Sequence, residues 1–242
     1  MWAVVPVAGR ASRLSCQTGG EPKALLEVGG RPLLDRLLES LADAVSDACL
    51  IVDRLDGPIA QRFGQAGWGI RLHYARQPEP LGVGDAVLRA REHVTGAFVV
   101  AMGDVYYSEP LGRYVRAWRN SGADGAVLTE PVGDEVPDPV GVVRLDGPFV
   151  RSIEKTRTDP TVLRVCGMEV LPEAAFGAAV KLRRRPDKEL ELEEIISWLI
   201  RERDARFLAL PYRGWRRNIN TPADMARVCR WLAEVQGDRP GA

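Results

Sequence analysis

The amino-acid sequence predicts an α/β fold with an open, mostly parallel mixed sheet, and three observations support this class. Over residues 1–130, short apolar runs of strand length alternate with segments whose apolar residues recur at helical spacing. The run Phe98–Met102 is apolar throughout, which is typical of a parallel strand buried on both faces. Small or charged residues follow two of the predicted strands, at Ala8-Gly9 and at Gly103-Asp104. Such strand ends meet at one edge of an open α/β sheet, where ligands bind.

The first half of the chain alternates between predicted strands and helices. Strand Trp2–Val7 opens it, and Arg31-Pro32 begins a helix whose leucines recur at helical spacing. The elements that follow are a strand at Cys49–Val52, a helix from Pro58 to Ala66, a strand at Gly69–Ala75, a helix that ends near His93, and the strand Phe98–Met102. This order is that of β-α-β units, which build parallel sheets.

The second half changes to shorter extended pieces separated by Asp-Gly and Asp-Pro turns. These pieces are Val140–Leu145, Phe149–Ile153 and Val162–Leu171. They predict a mixed or antiparallel extension that covers the binding pocket. The predicted elements that complete the chain are a helix at Glu191–Arg201, a strand at Arg206–Leu210, a helix that begins at Thr221-Pro222, and a loose tail at Gly237–Ala242.

Composition limits the classes of function. Lys plus Arg and Asp plus Glu number 33 each, so no global field attracts the chain to nucleic acid or to an acidic membrane. The four cysteines show no C-x-x-C spacing and are accompanied by only two histidines, which argues against a disulfide framework or a zinc site. No apolar run approaches the ~20 residues that span a bilayer, and no basic leader precedes the first strand. We therefore expect a cytoplasmic protein.

A loop of small residues follows the first strand, with the sequence Ala8-Gly9-Arg10-Ala11-Ser12-Arg13-Leu14. Small residues let backbone N–H groups approach a bound anion, and Arg13 and Lys23 supply positive charge. The stretch predicts a polyphosphate cradle, the alternative being a structural turn between a strand and a helix. It is not a dinucleotide fingerprint, which would need glycine at Ala11 and Leu14, and it lacks the Gly-Lys-Ser/Thr of a P-loop.

This loop, followed by Pro22-Lys23 and Gly30-x-Pro32, resembles the signature G-G-x-G-T-R-L-x-P-x-T-x-x-x-P-K of sugar-1-phosphate nucleotidyltransferases. The spacing from Arg13 to Lys23 matches the glucose-1-phosphate thymidylyltransferase version of the signature. The departures from it are Ala8 and Ala11 for glycines, Ser12 for threonine, and Cys16 for proline. The resemblance implies a Rossmann-like three-layer sandwich, the nucleotide-diphospho-sugar transferase fold. It also implies one domain over residues 1–236, with a nucleotide-binding half at 1–130 and a sugar-phosphate-binding half at 131–236.

A second motif, Gln77-x-Glu79-x-Leu81-Gly82-Val83-Gly84-Asp85-Ala86, is similar to the base-recognition loop Q-x-E-x-L-G-T-G-x-A of N-acetylglucosamine-1-phosphate uridylyltransferases. By this resemblance Gln77 and Gly82 contact the base. A glutamine amide offers a donor and an acceptor side by side, which complements the O4 and N3–H edge of uracil or thymine. The alternative is a polar loop that caps a helix.

The resemblance also implies a magnesium site and a site for the sugar phosphate. Asp104 occupies the position of the family's Mg²⁺-binding aspartate, and Asn218 in Trp215–Pro222 stands where the family has its second ligand. The alternative for Asn218 is a turn residue ahead of the helix cap. By resemblance Val150–Lys155 corresponds to the family's E-K-P segment. The residues that it implies for the sugar or its phosphate are Gly141, Glu154, Lys155, Gly167 and Glu191.

These motifs imply an enzyme of the EC 2.7.7 class that condenses a pyrimidine nucleoside triphosphate, UTP or dTTP, with a sugar 1-phosphate to give a nucleotide-sugar and pyrophosphate. Arg13 and the loop amides would hold the β- and γ-phosphates, and Lys23 would stabilise charge at the α-phosphate. Two alternatives are left open. One is a cytidylyltransferase that acts on an alditol phosphate or another non-sugar phosphate, and the other is a non-catalytic regulator that binds a nucleotide-sugar. The expected partners are the two substrates, without nucleic acid or membrane, and the oligomeric state is open.

Overall fold

The computed structural model describes residues 1–9, 21–132, 140–156, 162–183 and 188–237. Four residues predicted to bind phosphate lie outside these ranges, namely Arg10, Ala11, Ser12 and Arg13. Their roles stay predictions. Within the described ranges, no helix combines the length and the hydropathy needed to cross a bilayer.

A ten-stranded mixed sheet runs through both halves of the chain. In chain order the strands of the structure are β1 (Trp2–Pro6), β2 (Glu27–Val28), β3 (Arg31–Pro32), β4 (Asp47–Val52), β5 (Ala66–Gly67), β6 (Ile70–Arg76), β7 (Phe98–Ala101), β8 (Val105–Tyr107), β9 (Gly125–Pro131), β10 (Val140–Asp146), β11 (Phe149–Thr156), β12 (Leu163–Leu171), β13 (Phe207–Pro211) and β14 (Arg216–Asn218). The large sheet has the order β10-β11-β13-β9-β12-β7-β1-β4-β6-β5. Its β7-β1-β4-β6 part is parallel, whereas most pairings of the second half are antiparallel.

Helices cover both faces of this sheet. They are α1 (Leu33–Leu41), α2 (Pro58–Phe63), α3 (Val83–Arg89), α4 (Gly112–Arg119), α5 (Ala174–Leu182), α6 (Leu192–Arg203) and α7 (Pro222–Gly237). Alternate residues of β1 belong to different cores, because Ala3 and Val5 pack with α1 and α4 whereas Val4 packs with α3, α5 and α6. The predicted three-layer α/β sandwich is therefore confirmed.

Two short strand pairs and α7 form a third, smaller core. Strand β2 pairs with β3, and β8 pairs with β14, each antiparallel. Their buried side chains meet α7 around Val28, Tyr106 and Ile219. This core fixes the segment that carries Asn218 against the strand ends of the large sheet.

Several predicted elements differ from those observed. Arg31-Pro32 forms β3, so the helix predicted there begins at Leu33. The helix predicted to reach Ala66 ends at Phe63, because Gly64 has φ of 59° and lies outside the right-handed helical region. Gly237, predicted to start the loose tail, belongs to α7. Helices α4 and α5 and the β8–β14 pair were not predicted.

Candidate active site

Two adjoining cavities lie at the carboxyl ends of β1 and β7. The smaller one, of about 210 Å³, is lined by Ala8, Gly9, Lys23, Gln77 and Gly82, among others. The larger one, of about 590 Å³, lies over the antiparallel half of the sheet. Val83 and Met102 line both cavities, so together they form one two-part cleft. The residues predicted to bind nucleotide and those predicted to bind sugar phosphate thus fall largely in different parts of the same cleft.

Lys23 lies at the junction of the two parts. Its Nζ donates a hydrogen bond of 2.7 Å to Oδ1 of Asn220 and lies 3.5 Å from Oδ2 of Asp104. Asp104 lines the smaller cavity, whereas Asn220 lines the larger one. The ammonium group therefore bridges the predicted nucleotide part and the predicted acceptor part. Asn220 was not predicted, although it stands two residues after Asn218 in the same motif.

The backbone around Asp104 explains how these groups come together. A Cβ on Gly103 would lie 2.4 Å from Cγ1 of Val7, so only glycine lets the ends of β1 and β7 approach this closely. The N–H of Ile219 donates a 2.8 Å hydrogen bond to the carbonyl of Asp104, and Asn218 pairs with Val105 in the β8–β14 sheet. These contacts hold Asp104, Asn218 and Asn220 at one edge of the cleft.

The donor atoms at this edge fit a magnesium ion. They are the carboxylate of Asp104 and the amide oxygen of Asn218, which are both hard oxygen ligands, whereas the amide oxygen of Asn220 accepts the hydrogen bond from Lys23. Magnesium usually takes only one or two ligands from protein and keeps several waters, so a small set is sufficient. Within the described residues, no group of three or more His, Cys, Asp or Glu side chains could hold a metal. Oδ1 of Asn218 accepts a hydrogen bond from Arg216, and the residue is exposed at the cleft.

Gln77 is oriented by buried acceptors. Its Nε2 donates to the carbonyl of Gly82 at 3.0 Å and to Oδ2 of Asp85 at 2.9 Å. Asp85 is 1% exposed and is fixed by ion pairs with Arg89 at 3.3 Å and Arg183 at 2.7 Å. Because both partners of Nε2 can only accept, the amide cannot be flipped. Gln77 therefore presents Oε1, an acceptor alone, where the sequence led us to expect a donor and an acceptor side by side.

The loop that carries Gln77 is fastened to the segment ahead of α6. Gly82 has φ of 91°, and a Cβ there would lie 2.4 Å from the carbonyl oxygen of Leu190. The N–H of Gly84 donates to that carbonyl at 2.7 Å, and the N–H of Leu190 donates to the carbonyl of Leu81 at 2.9 Å. These hydrogen bonds fix the position of the loop that carries Gln77 relative to Glu191, the N-cap residue of α6.

Four of the five residues predicted for the sugar phosphate line the larger cavity: Gly141, Lys155, Gly167 and Glu191. Lys155 forms an ion pair with Glu191, and this hydrogen bond raises the pKa of the Lys155 ammonium group. Glu191 also caps α6 through a capping box with Glu194. Gly167 has φ of 79°, and its carbonyl accepts hydrogen bonds from the N–H of Met102 and from Oη of Tyr107.

Glu154, the fifth, lies outside both cavities. Successive side chains of a strand point to opposite faces, so Glu154 and Lys155 on β11 cannot both face the cleft. The Glu154 side chain is exposed, and Oγ of Ser152 lies 3.5 Å from its Oε1. The structure therefore does not bring Glu154 together with the other predicted residues.

The larger cavity also contains charged groups that the motifs did not indicate. Glu169 on β12 is 3% exposed, and burial together with the neighbouring Glu193 raises its pKa to about 8. Burial also raises the pKa of Glu193. The Arg216 side chain is 6% exposed and lies 2.7 Å from Oε1 of Glu130. The available signal for Glu169 was a lone carboxylate with an apolar residue on each side, Met168 and Val170.

Glu169 predicts a pH dependence of stability. A raised pKa means that, between its ordinary value of 4.5 and about 8, the folded state keeps a proton that the unfolded state has released. We expect the free energy of unfolding to fall as the pH rises from about 5 to about 8. In Glu169→Gln, which cannot titrate, this part of the fall should be absent. Chemical denaturation of both proteins across that range measures it, and identical pH profiles would contradict the burial of this carboxyl group.

The fold and the two-part cleft agree with the motifs of a nucleotidyltransferase, and the sequence identifies the family. Residues 3–173 match the sequence model of the MobA-like NTP transferase domain, and the chain belongs to this family. The predicted resemblance to sugar-1-phosphate nucleotidyltransferases is confirmed by its relatives.

Two relatives and one solved structure illustrate the similarity. The UTP–glucose-1-phosphate uridylyltransferase AglF of Haloferax volcanii is 30% identical over 97% of each chain. The glucose-1-phosphate thymidylyltransferase of Streptomyces antibioticus is 30% identical over 97% of this chain and 67% of its own. The UTP-bound UGPase of Acinetobacter baumannii has the same fold, with a TM-score of 0.80, 20% identity and 98% coverage of each chain. Other relatives are longer, and the chain spans about half of their length.

Proposed function

We propose that the protein transfers a nucleotidyl group from UTP or dTTP to a sugar 1-phosphate, with release of pyrophosphate. The observation that carries this proposal is the position of Lys23, whose Nζ lies between Asp104 of the smaller cavity and Asn220 of the larger one. Relatives that cover nearly the whole chain are named for uridylyl and thymidylyl transfer to glucose 1-phosphate. Because both substrates are cytoplasmic metabolites, we also expect a cytoplasmic location.

The reaction joins two anions, so it needs positioning and charge neutralisation more than a covalent nucleophile. A phosphate oxygen of the acceptor attacks the α-phosphorus in line, the bond from that phosphorus to the bridging oxygen breaks, and pyrophosphate leaves. With the triphosphate in the smaller cavity and the acceptor in the larger one, the α-phosphate comes to Lys23. The ammonium group stabilises negative charge that grows on the α-phosphate oxygens. Arg13 and the loop amides hold the outer phosphates.

Lys155 orients the incoming phosphate. In the structure its ammonium group forms an ion pair with Glu191, the N-cap residue of α6, and both residues line the larger cavity. A bound phosphate carries more negative charge than the partly buried carboxylate of Glu191 and recruits the ammonium group. Glu191 is then available to accept a hydrogen bond from an acceptor hydroxyl, which keeps its predicted role.

Asp104 and Asn218 would hold a magnesium ion, while the amide oxygen of Asn220 accepts the hydrogen bond from Lys23. When bound, the ion supplies positive charge to the α-phosphate and orients it. The residues of the chain have a separate task, because Asp104 and Asn220 position the Lys23 ammonium group at the junction of the cavities.

The orientation of Gln77 supports a preference for uracil or thymine. Its Oε1 can accept the N3–H of either base, whereas N3 of cytosine carries no hydrogen and would face the oxygen with a lone pair. We expect Gln77→Ala to lower the ratio of kcat/KM for UTP to that for CTP by about tenfold or more, since a lost hydrogen-bond readout relaxes selection. Steady-state kinetics with both triphosphates measure the ratio. Gln61→Ala, on the exposed face of α2, is the matched control, and an unchanged ratio in Gln77→Ala would overturn this assignment.

A pyrophosphate-release screen tests the proposed function. UTP, dTTP, CTP, ATP and GTP are each combined with hexose 1-phosphates, ribitol 5-phosphate and choline phosphate in the presence of Mg²⁺. We expect turnover with UTP or dTTP and a hexose 1-phosphate. Turnover confined to CTP with a non-sugar phosphate would establish the cytidylyltransferase alternative. Binding of a nucleotide-sugar without any turnover would establish the non-catalytic one.

A further inference from the structure

The floor of the larger cavity contains buried polar atoms without partners in the described residues. Oε2 of Glu169 and Nε of Arg216 are both buried and make no hydrogen bond there. Both residues line the cavity. Leaving a buried polar atom unpaired costs stability, so such atoms in a binding cavity mark the place where a ligand group completes them.

We propose that Glu169 is a specificity-determining residue that hydrogen-bonds a hydroxyl group of the acceptor, with Nε of Arg216 donating to the same region of the ligand. This inference rests on the proposed function, because it assigns the part of the acceptor that lies in the larger cavity. No motif in the sequence assigns a role to Glu169.

The placement of Glu169 supports a binding role over a structural one. The residue lies on β12 in the middle of the sheet, opposite Val100 of β7 and Val127 of β9. Its neighbours along the strand, Met168 and Val170, are apolar. Most other charged groups that line the cavity have an ion-pair partner, as Lys155 has in Glu191 and Arg217 in Asp224. A carboxyl group in this position is expensive to bury and gives the fold nothing that an apolar side chain would not.

The chemistry of the cavity favours a hydroxyl over an amine. A hydroxyl both donates and accepts, so it can pair with a carboxyl oxygen and with a guanidinium N–H. An ammonium group can only donate and would leave Nε of Arg216 unpaired. A quaternary ammonium is usually held by aromatic rings, yet the described residues place no Phe, Tyr or Trp in the lining of this cavity. A polyhydroxylated acceptor therefore fits better than a choline-like one.

Two substitutions of Glu169 and one control separate these roles. Glu169→Gln keeps an acceptor and a donor at the site, whereas Glu169→Met keeps the length and removes both. Thr129→Val is the matched control, because Oγ1 of Thr129 is also buried, has no hydrogen-bond partner among the described residues, and lines neither cavity. Pyrophosphate release with UTP and with glucose, galactose or N-acetylglucosamine 1-phosphate gives the KM values. Calorimetry with UDP-glucose gives a Kd that does not depend on turnover.

We expect Glu169→Met to raise the KM of the preferred acceptor about tenfold or more, which corresponds to the loss of one hydrogen bond to a buried group. The KM for UTP should stay within about twofold, and Glu169→Gln and Thr129→Val should stay within about threefold of the wild type. Thermal unfolding of Glu169→Met should occur at or above the wild-type temperature. A purely structural Glu169 would instead lower that temperature and raise both KM values together.

Several results would overturn the inference. One is an unchanged KM for the acceptor in Glu169→Met. Another is a KM for the acceptor that is raised as much in Glu169→Gln as in Glu169→Met, because this would mean that the charge of Glu169 binds a cationic acceptor. If the wild type turns over none of the acceptors, the proposed function fails by itself, and the Kd for UDP-glucose decides the inference. A weakening of about tenfold in Glu169→Met then supports it. Equal affinities, or no binding by the wild type, reject it.

Discussion

Replacing Lys23 by alanine lowers kcat for pyrophosphate release by about 10²–10³-fold, the usual cost of losing one charged group that stabilises the transition state. The reason is the position of Nζ between Asp104 and Asn220, at the junction where we propose that the triphosphate and the acceptor meet. The fold should survive, because this partly exposed ion pair at 3.5 Å contributes about 1 kcal/mol or less. Single-turnover kinetics with UTP and a hexose 1-phosphate, together with circular dichroism, measure both effects.

Two further variants make the Lys23 result specific. Lys23→Arg keeps the charge but changes its shape, and we expect it to recover only part of kcat, since guanidinium and ammonium groups are not interchangeable at a tight site. Lys181→Ala removes a lysine that lies over the ring of Trp198 and lines neither cavity, and it should leave kcat unchanged. A near-normal kcat in Lys23→Ala would remove the basis of the proposed mechanism.

Replacing Asp104 by asparagine has an effect of similar size, about 10²-fold or more in kcat. The substitution keeps the shape of the side chain but removes the carboxylate charge, which contacts Lys23 and which we propose attracts Mg²⁺. The loss should be partly recovered at high magnesium concentration, because a weakened metal site fills by mass action. Titration of Mg²⁺ against turnover measures this shift.

Asp56→Asn is the control for Asp104. Asp56 is an exposed carboxylate paired with Arg54, and its loss should not change the dependence on magnesium. The double variant Lys23→Ala with Asp104→Asn should lose less than the sum of the single effects, because the two residues contact one another. Strictly additive losses, or a magnesium dependence that is unchanged in Asp104→Asn, would show that Asp104 acts independently of both Lys23 and the metal.

The sequence predicts most strands of the large sheet because they are largely apolar runs bounded by turn residues. Strands such as Phe98–Ala101 and Leu163–Leu171 have clear patterns over several residues. The β8–β14 pair is different, since each strand has three residues and Val105–Tyr107 meets Arg216–Asn218 across more than a hundred residues of chain. A periodic pattern of apolar residues within one segment cannot predict a pairing between two such short and distant strands. This pairing nevertheless positions Asn218.

The predicted site residues follow the same logic. Lys23, Gln77 and Asp104 belong to continuous motifs, and the structure brings all three to one cavity. The orientation of Gln77 depends on Asp85, whose role arises only when the loop folds back on itself. Strand alternation turns Glu154 away from Lys155, a geometric fact that motif matching ignores.

Glu169 shows the opposite failure, because no motif contains it. Its proposed role comes from burial and from an oxygen that has no partner in the part of the chain that the structure describes, and neither property can be read from the order of residues. A single carboxylate among apolar neighbours was the only trace in the sequence. This sequence feature supports a binding role only once the structure shows that Glu169 lines a cavity.

One measurement tests the central claim most directly. The purified protein is mixed with UTP, glucose 1-phosphate and Mg²⁺, and the products are identified by mass spectrometry while pyrophosphate is followed in time. The account predicts equal amounts of UDP-glucose and pyrophosphate, formed by the wild type and reduced about a hundredfold or more in Lys23→Ala. Absence of a nucleotide-sugar with this acceptor and with every other hexose 1-phosphate, or its undiminished formation by Lys23→Ala, would contradict it.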